Sequence, residues 1–234
     1  MTIQTILALS IGTAAMLIPI MALALRYRIA FWKSVPIAVL MTITGTISTY
    51  IWFFIEASGF GGRSYYGAVF LIPVCFIPVA KLMKIQYGEL MDLCAPAECV
   101  MLAIMKYQCL VDGCCGGIIL RILEDGTEIQ FPSQMVELGN ALLITAALLI
   151  LAFCGKWRGK VYPWYLIIYG VTRFVLNFYR KDNYPLLVGL PSGNVWSLLA
   201  IFVGILWLTD RTVAIVKRRP EHNMQENKKQ EANR

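Results

Sequence analysis

The stretch TILALSIGTAAMLIPIMALAL, Thr5 to Leu25, runs for 21 residues without a charge, and SVPIAVLMTITGTISTYIWFFI, Ser34 to Ile55, runs for 22. Each is long enough as a helix to cross ~30 Å of hydrocarbon, which takes about 20 apolar residues. Five more such runs follow, at residues 65–80, 93–110, 138–155, 161–178 and 195–209. The fourth of the seven, 93–110, is the least clean, because it holds Pro96, Glu98 and Lys106. Composition points the same way: 58% of residues are hydrophobic and 15% charged, whereas a soluble domain carries roughly 25% charge. A secretory signal peptide would place basic residues ahead of a short apolar core. Here the first charge, Arg26, comes after the apolar run. The expected fold is therefore an all-α polytopic membrane protein with about seven transmembrane helices.

Basic residues orient such a chain. With the N-terminus outside, the inner loops hold Arg26, Arg28, Lys33, Lys81, Lys84, Lys156, Arg158 and Lys160, and the C-terminal tail adds seven more. The outer loops hold only Arg63, Arg121, Arg180 and Lys181. Fifteen against four puts the N-terminus outside and the C-terminus in the cytoplasm. Residues 1–216 then form one membrane-embedded domain, and 217–234 read as a polar, disordered cytoplasmic tail. The net charge of +7 follows from this topology and from attraction to anionic inner-leaflet lipid, so no nucleic-acid partner is expected.

Ionisable side chains at membrane depth cost ~2.5–3.5 kcal/mol on insertion scales and point to function. Arg173 falls in the outer half of its helix, and Lys106 falls near the outer end of the fourth. Arg63 and Arg180 sit at the same level. So do Gly61-Gly62-Arg63-Ser64-Tyr65-Tyr66-Gly67, Ser133-Gln134 with Glu137, and Ser192-Gly193-Asn194. Glycines let backbone N–H groups approach an anion, and arginine grips phosphate with two donors. Together they describe a cationic, glycine-lined cavity for an anionic phospholipid. Each residue also has a plainer reading. Lys106 and Arg180 can snorkel to the interface. Tyr162, Trp164, Tyr165, Tyr179 and Trp196 suit an interfacial belt, and Asp92 and Glu98 can neutralise basic neighbours.

The one sizeable outer segment is 117–134, where Asp125-Gly126 between β-rich runs predicts a small hairpin over the cavity. Seven cysteines contain no Cys-x-x-Cys pair, and the single histidine, His222, is in the tail. Neither a metal nor a cofactor is expected on that pattern. Cys75, Cys94, Cys99 and Cys154 read as small apolar packing. Cys109, Cys114 and Cys115 cluster near the outer surface, where one disulfide among them stays open.

In order and spacing, these segments resemble the prolipoprotein diacylglyceryl transferases. The resemblance covers about residues 55 to 200. It is carried by the Gly-Gly-x-Ser-aromatic block at 61–67, the Asp92 segment, the Asp-Gly block from Asp112 to Gly117, Pro132-Ser133-Gln134 with Glu137, Tyr169-Gly170-x-x-Arg173-Phe174 with Arg180, and Ser192-Gly193-Asn194-x-x-Ser197. It implies an enzyme of the bacterial cytoplasmic membrane, multi-pass, that moves the diacylglyceryl group of phosphatidylglycerol to the lipobox cysteine of a prolipoprotein. It further implies Tyr66, Lys106 and Arg173 as catalytic residues. Gly61, Gly62, Arg63, Ser64, Asp92, Asp112, Gly117, Ser133, Gln134, Glu137, Tyr169, Arg180 and Asn194 would bind substrate.

The chain departs from the family pattern in several places. Tyr66 stands where the family carries histidine and Lys106 where it carries arginine, so a charge is kept but its fork is lost. Cys109 and Asp112 replace asparagines, Asn177 a glutamate and Asn194 a glutamine. A paralogue with another acceptor, or a lipid-binding or transport protein, are the alternatives. Transport would favour internal repeats, and none is visible.

Overall fold

The computed structural model describes residues 3–57, 62–124, 127–181, 185–187 and 190–209. Among them run seven long helices: α1 (Ile3–Tyr27), α2 (Ser34–Ala57), α3 (Tyr66–Met83), α4 (Tyr87–Asp112), α5 (Ser133–Phe153), α6 (Val161–Asn177) and α7 (Ser192–Thr209). Between α4 and α5, β1 (Ile119–Ile122) pairs antiparallel with β2 (Glu128–Gln130), which is the expected hairpin. A second short pair, β3 (Pro185–Leu187) with β4 (Leu190–Pro191), joins α6 to α7. The turn residues Asp125 and Gly126, the site candidate Gly61 and the tail 217–234 lie outside the described residues.

Five of the helices, α1, α2, α3, α5 and α7, are long and apolar enough to cross a membrane. They turn large apolar side chains outward; Ile11 is 60% exposed and Leu143 72%. Such a surface suits lipid, since continuous apolar faces on this scale do not persist in water. The chain is thus a multi-pass membrane protein. The other two helices differ for a physical reason. α6 is short, at 17 residues, and α4 holds Glu89, Asp92, Glu98 and Lys106. α4 packs against α1, α3, α5 and α6, and every residue from 90 to 99 is buried. Its polar groups therefore find partners in the protein and not in lipid.

Helices α4 and α5 also begin earlier than the apolar runs predict, at Tyr87 and not 93, and at Ser133 and not 138. In both cases the added turns carry carboxylates that tertiary partners satisfy. Glu89 takes Arg158 at 2.7 Å. Asp92, fully buried, accepts the Val161 N–H at 2.8 Å on one oxygen. Its other oxygen accepts the Gly159 N–H and the Tyr27 hydroxyl. A carboxylate from α4 thereby caps the N-terminus of α6, where orphan donors and the positive end of the helix dipole both favour it.

At the α6–α7 contact, small residues let the backbones approach, as they do between membrane helices generally. A Cβ on Gly170 would meet the Ser197 carbonyl at 2.9 Å and the Ile201 side chain at 2.8 Å, whereas one on Gly139 in α5 would meet nothing within 4 Å. Gly170→Ala should therefore destabilise the protein by about 1–3 kcal/mol through overpacking. Gly139→Ala should stabilise it by about 0.5–1 kcal/mol through helix propensity. Thermal unfolding in detergent checks both, and effects of the same sign would contradict this account of the packing.

Candidate functional site

The start of α3, the ends of α4 and α6, and the starts of α5 and α7 meet at one end of the bundle, opposite the Asp92 cap. With α1 and α2 along its side, they enclose a cavity of about 610 Å³. At its centre is Glu137, in the second turn of α5 and only 4% exposed. Lys106 Nζ of α4 and Arg173 Nη1 of α6 both lie 2.6 Å from Oε2, and Arg180 Nη1 lies 2.5 Å from Oε1. One carboxylate thus faces three cations, so the cluster carries a surplus of two positive charges in a largely desolvated place. The nearly buried Arg173 also holds an Nε–H with no hydrogen-bond partner among the described residues. Such a group suits a second anion, because Coulomb attraction is strong where water is excluded.

Aromatic walls surround this charge. Tyr169, one turn before Arg173, packs edge-on to Tyr65 and Tyr66, with ring centroids 5.4 and 6.0 Å away. The Tyr66 hydroxyl lies 2.8 Å from the Gly193 carbonyl oxygen and 2.6 Å from Ser197 Oγ. Tyr66 therefore ties α3 to α7 while lining the cavity. Gly62, Arg63, Ser64 and Asp112 also line it, with Arg63 and Asp112 exposed and Ser64 buried. Arg63 lies over the Tyr50 ring at 5.6 Å. Asp112, the last residue of α4, accepts from Gln108 at 3.1 Å.

Five other sequence candidates are placed elsewhere. Asp92 is at the far end of the bundle, capping α6, because an acidic side chain there meets bare helix N–H groups. Gly117 lines no part of the cavity; it pairs backbone to backbone with Arg180. A side chain there would collide with the Phe131 and Tyr179 backbone. Its neighbour Ile118 donates to the Tyr179 carbonyl at 3.0 Å, so this glycine stitches the hairpin to the end of α6 beneath Arg180. Ser133 Oγ donates to the Cys115 carbonyl at 2.7 Å and Gln134 Nε2 to the Cys114 carbonyl at 2.6 Å. Asn194 is fully buried, and neither amide atom has a hydrogen-bond partner among the described residues.

Conversely, the cavity wall includes Glu56, Glu98 and Asn177, which sequence reasoning did not select for the site. Glu98 receives the Tyr162 hydroxyl at 3.0 Å, deep between α4 and α6. Glu56 stands near the end of α2 and lines the same cavity as Ser64. The acidic character of Glu98 inside an apolar run, and of Glu56 directly after one, was the available signal. Cys109, Cys114 and Cys115 also face the cavity. The Cys115 thiol is held below the ordinary range by the Cys109 thiol that donates to it and by nearby Lys106 and Arg180.

Removing one partner of a buried ionic cluster strands the others, at a cost of about 3–5 kcal/mol. Glu137→Ala should lower unfolding stability in detergent by that order, whereas Asp112→Ala, at the exposed rim, should change it little. Equal stability of the two variants would refute the central position given to Glu137.

The family model for prolipoprotein diacylglyceryl transferase matches residues 7–209. A phosphatidylglycerol–prolipoprotein diacylglyceryl transferase of Campylobacter curvus is 30% identical over 172 residues, covering 64% of this chain and 58% of that protein. The protein of the same name from Geobacter sulfurreducens is 30% identical over 171 residues, covering 68% of this chain and 63% of its own length. One from Campylobacter lari is 27% identical over 158 residues, with 64% and 58% covered. The chain thus spans less than two thirds of the length of these curated relatives. The match reaches from α1 to the end of α7, and the chain belongs to the prolipoprotein diacylglyceryl transferase family.

Proposed function

We propose that the protein transfers the diacylglyceryl group of phosphatidylglycerol to the lipobox cysteine thiol of a prolipoprotein, within the bacterial cytoplasmic membrane. The observation that carries this reading is the surplus of cations around Glu137 at one end of a lipid-facing bundle. The named activity of the family's relatives supports it. In this reading all seven helices span the bilayer, with α4 and α6 shielded by the others. The N-terminus is outside, residues 1–216 form the membrane domain, and 217–234 are cytoplasmic. The basic-residue asymmetry supports that orientation, and it puts the cavity at the outer leaflet, where phosphatidylglycerol headgroups and exported precursors meet.

The chemistry follows from the cations. The acceptor sulfur attacks the glycerol carbon that bears the phosphate, so a C–S bond forms and the C–O bond breaks. The electron pair leaves on the phosphate oxygen, the thiol's proton passes to water, and glycerol phosphate departs. Arg173, Lys106 and Arg180 stabilise that developing charge. Glu137 holds the three together against their mutual repulsion. Gly62, Arg63, Ser64 and Asp112 would meet the headgroup, and Tyr169 would pack along it. Gly117, Ser133, Gln134 and Asn194 would act by supporting the wall. Tyr66, hydrogen-bonded across to α7, serves as wall and tether; a phenol of reference pKa ~10 is in any case a poor base near neutrality.

Arg173→Ala should reduce transfer by roughly 30- to 1000-fold, the 2–4 kcal/mol expected for one charge-stabilising donor. Arg173→Lys should recover little, because the fork is lost. The assay is complementation of a transferase-depleted strain, with mass spectrometry of a reporter lipoprotein; full activity in Arg173→Ala at equal protein level would overturn the assignment. Reporter fusions after Leu123 should score as outside and fusions after Lys160 as cytoplasmic. An external Lys160 fusion would overturn the topology.

A further inference from the structure

The turn that leaves α4 brings three thiols together. Gly113 is left-handed, with φ 66°, and so is Cys115, with φ 58°. A non-glycine residue rarely adopts that conformation, which costs on the order of 1 kcal/mol. The result folds Cys114 and Cys115 back over Cys109 in the last turn of α4, and the three sulfur atoms all lie within 4.8 Å of one another. The turn is fixed from outside as well. Gln134 and Ser133 donate to the carbonyl oxygens of Cys114 and Cys115, so the start of α5 holds the backbone of both cysteines.

We propose that Cys109, Cys114 and Cys115 form a three-thiolate site for a thiophilic divalent cation such as zinc, with its fourth coordination position open to the cavity. Metal–sulfur bonds of about 2.3 Å would set the sulfurs about 3.8–4.0 Å apart, a separation that small side-chain rotations supply here. Three thiols converging on one point fit a metal better than a disulfide, which uses two and leaves the third. Three soft sulfur donors select a zinc-like ion over magnesium or calcium. Three protein ligands with an open fourth place are also the pattern of reactive zinc sites, whereas structural sites close with four. All three cysteines line the same cavity as Lys106 and Arg180. A divalent ion on three thiolates carries one negative charge, which those cations offset.

The ligand for the open position is a thiol, and this part rests on the transferase reading above. A coordinated thiol loses its proton. Binding would therefore exchange the acceptor's S–H bond for a metal–sulfur bond and release one proton to water. The nucleophile would then stand as a thiolate beside the cations that receive the leaving phosphate. This supplies the thiolate in a pocket whose Tyr66 makes a poor base.

The full-length chain, purified in detergent under reducing conditions, should bind one equivalent of Co²⁺ with an intense sulfur-to-cobalt charge-transfer band, and Zn²⁺ should displace it. Cys109→Ser, Cys114→Ser and Cys115→Ser should each weaken binding by more than the roughly 10–100-fold typical of an outer-shell change. Cys75→Ser and Cys154→Ser, exposed and distant from the cluster, should bind as the unaltered chain does. N-acetylcysteine amide should shift the visible cobalt spectrum by entering the fourth position. In the unaltered chain, which needs no variant to fold, Zn²⁺ should protect Cys109, Cys114 and Cys115 from alkylation and leave Cys154, exposed at the end of α5, reactive. No charge-transfer band at one equivalent, a band that survives all three serine variants, or isolation of the cluster as a disulfide from native membranes would each overturn the site. An unaltered spectrum with the added thiol would overturn its role. Metal bound without transfer in cells would count against the transferase reading alone, and transfer without bound metal against this one alone.

Discussion

Glu137 joins parts of the chain that otherwise have little reason to meet. Lys106 comes from the end of α4, Arg173 from α6 and Arg180 from just beyond it, and all three converge on the carboxylate near the start of α5. Without that charge, three cations in a desolvated pocket would repel one another, and each would pay its own burial cost. With it, they are held at hydrogen-bonding distance and still leave a positive surplus. The same arrangement keeps the pocket assembled and leaves it attractive to an anion. Structural and functional demands on Glu137 are therefore inseparable.

The opposite end of the bundle works by the same principle with the sign reversed. Asp92, buried on α4, collects backbone N–H groups from the start of α6 and the hydroxyl of Tyr27 from α1. Here the balancing positive charge is a helix terminus and not a side chain. Helix α4 consequently carries the chain's polar groups through the middle of the bundle, with Asp92 near one end, Glu98 between and Lys106 near the other. The apolar faces of its neighbours point outward, which is why α4 can be the least apolar of the seven described helices.

Between the two ends, tyrosines fill the interior. Tyr65, Tyr66, Tyr162, Tyr165 and Tyr169 are wholly or largely buried, and several pass hydroxyl groups to carbonyl or carboxylate partners. Tyr162 and Tyr165 had suited a belt at the membrane interface, but their rings pack inward because each hydroxyl finds an acceptor there. Large amphipathic side chains can fill a membrane protein's core where their polar tips are satisfied. A histidine at position 66 would offer a proton acceptor. A tyrosine instead gives a firm bridge to α7.

Hydrophobic run length by itself determined that the chain is helical and membrane-borne, since some 20 apolar residues have few other uses. The hairpin between α4 and α5 was equally legible, because its paired strands depend on local spacing. Only tertiary structure decided which polar residues face one another. That Arg173, Lys106 and Arg180 share Glu137, that Asp92 caps a helix instead of lining the cavity, and that Ser133 and Gln134 hold the Cys114–Cys115 turn all depend on side chains from separate helices. The same is true of the three thiols, whose spacing matches no sequence motif and whose closeness comes from two left-handed residues. Burial forces a partner on every polar group, but which partner is set by how the helices pack, and a linear pattern does not encode that choice.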